Sequence, residues 1–216
     1  MEFRNSSLPH GREAVLVRGN TEQPRRALIL LHGRGGTAAN ILELTNDLDL
    51  PSDVLVLAPQ AANHTWYPER FLVSQVENQP GLDSALERIE VIIESLQSQY
   101  DIERSQVALA GFSQGACLVA EYVKRHRARY LAVAIYSGGL IGDDSEVSAD
   151  IPGSLLATPV YMGCDEEDFH IPKERVEATA AYLRVHEAVV TFRLYQGLGH
   201  TIHEEGLDFL RSVFNK

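Results

Sequence analysis

The sequence predicts an α/β fold: a mostly parallel central sheet with helices on both faces, and no large cap domain. Three observations predict it. Strand-like and helix-like segments alternate along the chain, which is the pattern of βαβ units. Several strand-like segments, among them 27–31 (ALILL) and 54–58 (VLVLA), are continuous apolar runs, as strands covered on both faces are. The length of 216 residues favours one domain, 1–216, with enough chain to bury a core.

The elements follow in order. Residues 13–19 (EAVLVRG) read as an early strand, and 27–31 as the first fully buried one. The latter stops at a glycine-rich loop, 32–36 (HGRGG), after which a helix fits 38–48, ended by Pro51. Strand 54–58 comes next. The stretch 60–79 has no clear periodicity, yet it carries Trp66, Tyr67, Pro68, Phe71 and Leu72. An irregular stretch of that length in a compact domain suggests a functional loop. Leu82, Leu86, Ile89, Ile93 and Leu96 then recur at helical spacing.

Strand 106–110 (QVALA) runs directly into 111–115 (GFSQG), and a helix follows with Ala116, Val119, Ala120 and Val123 on one face. Strand 131–136 (LAVAIY) ends at Ser137-Gly138-Gly139, and 141–158 reads as a polar, acidic loop. Strands 160–163 and 189–195 flank a helix over 173–186, and a terminal helix runs to about Phe214. No repeat, low-complexity tract or linker interrupts the chain.

Composition narrows the function. Apolar residues make up 44% and charged residues 23%, an ordinary globular balance. A net charge of −11 repels nucleic acid and anionic lipid alike. The nearest basic run, Lys124-Arg125-His126-Arg127, falls at the end of a helix, where cations complement the dipole, and reads as a solvated helix end. No segment reaches transmembrane length, and residues 1–10 lack the apolar core of a secretion signal. Two cysteines, Cys117 and Cys164, allow one disulfide at most; with no leader, a reducing cytoplasm is the expected location. No cofactor fingerprint is present. His200-x-x-His203 lacks the third ligand and the spacing of a metal site, so no metal is expected.

Gly111-x-Ser113-x-Gly115 follows a strand and opens a helix, the context of a nucleophile elbow. The turn is so sharp that a side chain at either flank collides with neighbouring backbone, and the serine is lifted to a helix N-terminus, where incipient negative charge is favoured. The plainer reading is a chance match to a short pattern; the strand-to-helix context argues against it. A serine hydroxyl needs a base within hydrogen-bond reach. Among the histidines downstream, His126 and His186 sit on predicted helices and read as surface residues. His200, in the glycine-flanked loop after the last strand, suits the base better than His203 at the start of the terminal helix. The acid that orients the base is expected in the loop after strand 160–163, where Asp165, Glu166, Glu167 and Asp168 all qualify on charge; Asp165 and Asp168 are the main contenders. Two backbone N–H groups should hold the oxyanion, from Gln114 and from Arg34 in the glycine-rich loop. The Arg34 side chain, if turned inward, would meet an anionic group on the substrate, and His32 reads as a structural hydrogen-bonding residue.

In these residues the chain resembles the phospholipase/carboxylesterase family, the acyl-protein thioesterase-like group of small α/β-hydrolases. The similarity runs from about Arg26 to the C-terminus. Its marks are LLHGRGG (30–36), GFSQGA (111–116), an aspartate loop ending DFHIP (168–172), and GLGHTI (197–202). The resemblance implies a cap-less hydrolase of esters or thioesters with a triad of Ser113, Asp168 and His200. One departure is an extra residue in 164–168 relative to the family's usual D-x-D-x-H before the proline. That keeps Asp165 a rival, while the distance to Pro172 favours Asp168.

The expected activity is therefore that of a serine carboxylesterase acting on small-to-medium acyl esters through an acyl-enzyme. The alternatives are an acyl-thioesterase or lysophospholipase and, from another class, a non-catalytic hydrolase-fold binding protein. Trp66, Tyr67, Phe71 and Leu72 are expected to wall the acyl pocket with Phe112 and Ile202, although Phe71 and Leu72 serve equally well as core plugs. The expected partner is a small-molecule ester; a homodimer is compatible with the sequence.

Overall fold

Alternation along the apolar strands decides the layering. In β2 (Arg26–Leu31) and β3 (Val54–Pro59), Ala27, Ile29, Leu31, Leu55 and Leu57 face one side, and Leu28, Leu30, Val54 and Val56 the other. Successive side chains of a strand point to opposite faces, so two apolar sets in one strand demand a cover on each. A computed structural model describes residues 3–215 and supplies both covers. Helices α2 (Gly81–Tyr100), α3 (Gln114–Arg125) and α5 (Lys173–Val185) pack on the first face; α1 (Ala38–Leu42) and α6 (Glu204–Phe214) pack on the second.

Five more strands complete the sheet: β1 (Val15–Gly19), β4 (Val107–Phe112), β5 (Ala132–Tyr136), β6 (Pro159–Asp165) and β7 (Val189–Tyr195). Their order is β1-β3-β2-β4-β5-β6-β7, with β1 antiparallel to β3 and every other pairing parallel. From β2 the chain steps outward to β3 and then returns to β4 on β2's other side. The strand order reverses there, so a crevice opens beyond the carboxyl ends of β2 and β4, where ligands bind in open α/β sheets. Register brings further loops to the same edge: Leu31 pairs with Gly111, Phe112 with Tyr136, and Tyr136 with Gly163.

Several elements depart from expectation for identifiable reasons. The helix expected over 38–48 is α-helical only to Leu42 and continues as a 3₁₀ turn, Glu43–Asp47. Arg18 Nη1 and Thr45 Oγ1 both donate to the Leu42 carbonyl, at 3.0 and 2.7 Å, diverting an acceptor that a longer α-helix needs. The loop 141–158 contains the short helix α4 (Asp144–Ser148), started by a reciprocal cap between Asp143 and Glu146.

The basic run is no solvated helix end. Lys124 is buried and donates to the carbonyls of Glu146 and Val147, and Arg125 binds Glu121 (2.8 Å), Asp83 (3.0 Å) and Gln75 (2.6 Å). His126 stacks on Tyr122 at 4.5 Å and His186 packs on Tyr182, so both are half-buried rather than on the surface. Cys117 and Cys164 are both free and buried. Among the described residues no helix is long and apolar enough to cross a membrane.

Candidate active site

The elbow's residue types follow from how closely its backbone approaches its neighbours. A Cβ on Gly111 would lie 2.4 Å from the Gly115 carbonyl oxygen, and one on Gly115 would lie 2.3 Å from that of Leu31. No side chain fits either position. Between them Ser113 adopts φ 55°, ψ −119°, a conformation that costs a non-glycine residue about 1–3 kcal/mol and is found where surroundings over-determine it. Here the Ser113 N–H donates to Tyr136 O (2.9 Å) and its carbonyl accepts from Cys117 N (3.0 Å), fixing the turn from both sides. Gln114 opens α3, so its N–H is one of the helix's orphan donors.

Three side chains expected to work together do converge. His200 Nε2 lies 2.8 Å from Ser113 Oγ, and His200 Nδ1 lies 2.6 Å from Asp168 Oδ2. A carboxylate only accepts, so the Nδ1–H donates to Asp168 and leaves Nε2 free to accept from the serine hydroxyl. The imidazole sits between the Phe112 ring (4.9 Å) and the His170 ring (5.0 Å). Asp168 is buried, and its Oδ1 accepts from the N–H groups of His170 (2.9 Å) and Ile171 (3.2 Å).

Asp165, the rival acid, has a different task. Its Oδ2 accepts from Leu198 N (2.7 Å) and Gly199 N (3.0 Å), and its Oδ1 from Glu167 N (2.9 Å). These donors hold its carboxyl below the usual carboxylate range. It anchors the loop that carries His200, whose glycines Gly197 and Gly199 both have φ 71°. Ser137 helps, donating from Oγ to Thr201 O at 3.1 Å.

The Arg34 side chain lines the cavity mouth and is held there by backbone. Its guanidinium donates to the carbonyls of Tyr67 (3.0 Å), Pro68 (2.8 Å) and Glu69 (2.6 Å), clasping the loop across from the elbow. Its neighbours' amides are committed, Gly35 N to His64 O (2.8 Å) and Gly36 N to Gly33 O (3.0 Å).

Tyr67, Phe71 and Phe112 line a cavity of about 490 Å³ beside Ser113 and His200. Phe71 also belongs to the core, so it serves as wall and plug at once, whereas Leu72 packs on the core away from this cavity. Two expected wall residues are corrected. Trp66 is 0% exposed and turned inward, its Nε1–H donating to His32 O at 2.8 Å. Ile202 packs against the α1/α6 face of the sheet instead of lining the cavity.

Sequence reasoning missed what holds this wall. The Gln114 side chain accepts from Trp66 N (2.9 Å) and donates to Tyr67 O (2.8 Å) and Thr65 Oγ1 (3.1 Å). Buried Arg175 donates to the carbonyls of Leu140 (3.0 Å) and Gly142 (2.7 Å), and Gly142 N in turn donates to Phe71 O at 2.8 Å. A glutamine in a helix's first turn and an arginine on an apolar helix face were the available signals, since each needs a partner once buried.

Two histidines flank Trp66. His10 Nε2–H donates to Trp66 O (2.9 Å) while Nδ1 accepts from Ala62 N (3.0 Å); His32 Nδ1–H donates to Gly33 O (2.8 Å) while Nε2 accepts from Ala61 N (3.1 Å). The roles assign both as neutral, and burial lowers both from the usual 6.5. Below 6.5 the unfolded chain binds protons at these sites before the folded one does, so stability is complete above 6.5 and falls as pH drops toward the depressed folded values. Each site sets a slope of at most ~1.4 kcal/mol per pH unit. A His10→Asn/His32→Asn double variant should show a flatter Tm-against-pH curve between about pH 6.5 and 5. An unchanged slope would exclude these rings as its source.

Burial pushes the Cys117 and Cys164 thiols up to about 12, so neither is a thiolate at neutral pH. Among the described residues no group of three or more His, Cys, Asp or Glu is placed to hold a metal ion.

Comparison with known proteins identifies the family and the fold. The Phospholipase/Carboxylesterase family model matches residues 13–216. A crystal structure of a phospholipase/carboxylesterase from Dyadobacter fermentans superposes with TM-score 0.89 at 34% identity, covering 98% of this chain and all of that one. Zea mays acyl-protein thioesterase 2 shares the fold alone, at 16% identity and TM-score 0.70 over 93% of this chain and 96% of that one. A probable carboxylesterase SOBER1-like protein of Arabidopsis thaliana is 26% identical over 136 residues, 63% of this chain; the match spans 51% of that curated relative, about half its length.

Proposed function

The chain belongs to the phospholipase/carboxylesterase family, and from that premise we propose that it is a serine carboxylesterase hydrolysing small-to-medium acyl esters. The observation that carries this reading is the 2.8 Å contact between His200 Nε2 and Ser113 Oγ, backed by Asp168 at 2.6 Å from Nδ1. Ser113 Oγ attacks the ester carbonyl as His200 Nε2 takes its proton, and Asp168 stabilises the imidazolium that forms. The N–H groups of Gln114 and Arg34 hold the oxyanion, aided by the dipole of α3. The tetrahedral centre collapses, the C–O bond to the alcohol breaks, and His200 returns the proton to the leaving oxygen. Water then enters by the same route, releasing the acid and restoring the Ser113 hydroxyl. Tyr67, Phe71 and Phe112 surround the acyl group. Two free, buried thiols suit a reducing cytoplasm.

A fluorophosphonate probe tests the reading. Covalent capture at Ser113, located by peptide mass, is expected; a chain that takes no label is a binding protein on a hydrolase fold. Acyl oxygen esters, thioesters and lysolipids of matched chain length then rank the substrates. Oxygen esters are expected to show the highest kcat/KM, and a thioester or lysolipid leading that ranking would replace the carboxylesterase assignment.

A further inference from the structure

The cation that the sequence offered for a substrate anion, Arg34, spends three of its five donors on loop carbonyls. Arg70 is a different case. Its backbone is held on both sides by a buried residue: Glu69 N donates to Asn78 Oδ1 (2.9 Å), and Asn78 Nδ2 donates to Arg70 O (3.2 Å). The next carbonyl, Phe71 O, is pinned by Gly142 N. The Arg70 side chain lines the same cavity as Ser113 and His200, exposed, and among the described residues its guanidinium has no hydrogen bond or ion pair. Among the described residues, Glu69 is the one acidic residue of that lining, and it makes no ion pair with Arg70. Elsewhere in this chain, arginines such as Arg26 and Arg104 are bridged to carboxylates at 2.7 and 2.5 Å.

A guanidinium with no protein partner, carried on a pinned backbone at the mouth of a reaction cavity, is free to present its fork of donors to a planar oxyanion. It is also a local exception to the repulsion that a net charge of −11 exerts on anionic substrates. Among the described residues, two arginines and one glutamate leave the lining with one net positive charge, which matches one carboxylate rather than a phosphate dianion. Resting on the esterase reading above, we propose that Arg70 is a specificity residue that binds a carboxylate carried by the ester, so that monoanionic acid-esters are the favoured substrates. The contact lies away from the scissile carbonyl and acts chiefly through KM.

Matched pairs test this. On the acyl side, 4-nitrophenyl hydrogen glutarate is compared with 4-nitrophenyl valerate; on the alcohol side, 4-acetoxybenzoate with its methyl ester. The readout is the ratio of kcat/KM, charged over neutral. In the wild type it should be at least about one for one of the pairs, fall about tenfold in Arg70→Gln, and recover in part in Arg70→Lys. The ratio should also shrink as salt is raised. Ratios that are the same in all three proteins for both pairs overturn the carboxylate assignment and leave the esterase intact. Failure of the wild type to turn over any of the four esters removes the catalytic reading itself, and this proposal with it.

Discussion

Ser113→Ala is expected to lower kcat for a 4-nitrophenyl ester by about 10⁶-fold, with no change in thermal unfolding. The stability half of that expectation follows from the elbow. Alanine keeps the Cβ, so the positive φ of 55° remains as costly as before and the packing around it is unchanged. Ser113→Gly should lose activity equally yet gain ~1 kcal/mol in a urea titration, because only glycine adopts this conformation without penalty. Wild-type turnover in either variant would remove the Ser113 hydroxyl from the chemistry.

The second large effect separates the two aspartates. Asp168→Asn should reduce kcat about 10⁴-fold, since a carboxamide offers its NH₂ to His200 Nδ1 and favours the tautomer that cannot accept from the serine. Asp165→Ala should cost less, about 10- to 100-fold, by freeing the Leu198 and Gly199 amides and letting the imidazole drift. Faster hydrogen exchange at those two amides would report the drift directly. The sign with pH follows from the lowered carboxyl of Asp165. The anchor is present above the ordinary carboxylate range and is lost only as pH falls through the depressed folded value. Should Asp165 prove the more damaging site, the roles assigned to the two carboxylates are reversed.

What the sequence made legible was whatever geometry forbids doing otherwise. Gly111 and Gly115 stand where no Cβ fits, so the elbow could be read from residue types alone. The sheet was legible because strands covered on both faces lose polar alternation, as Ala27 to Leu31 do. Direction within an irregular segment leaves no such trace. Trp66 and Phe71 look alike in a loop without periodicity, yet one turns to the His32 carbonyl and the other to the cavity. Hydrogen-bond partners supplied by distant carbonyls were equally invisible. Lys124, Arg175 and Arg34 each satisfy a charge on backbone oxygens far along the chain, which neither charge counting nor helical spacing reveals. The extra residue in 164–168 left two aspartates in contention because the loop needs both, one against the imidazole and one beneath it.

Gln114 ties two jobs to a single position. Its main-chain amide is the one proposed to hold the oxyanion, while its side chain staples Thr65, Trp66 and Tyr67. A shift in that segment therefore drags on the very residue that must stay still during bond-making. Side-chain change costs least at exposed Arg70, just past the staple, whereas Phe71 is also part of the core and cannot be exchanged without repacking it.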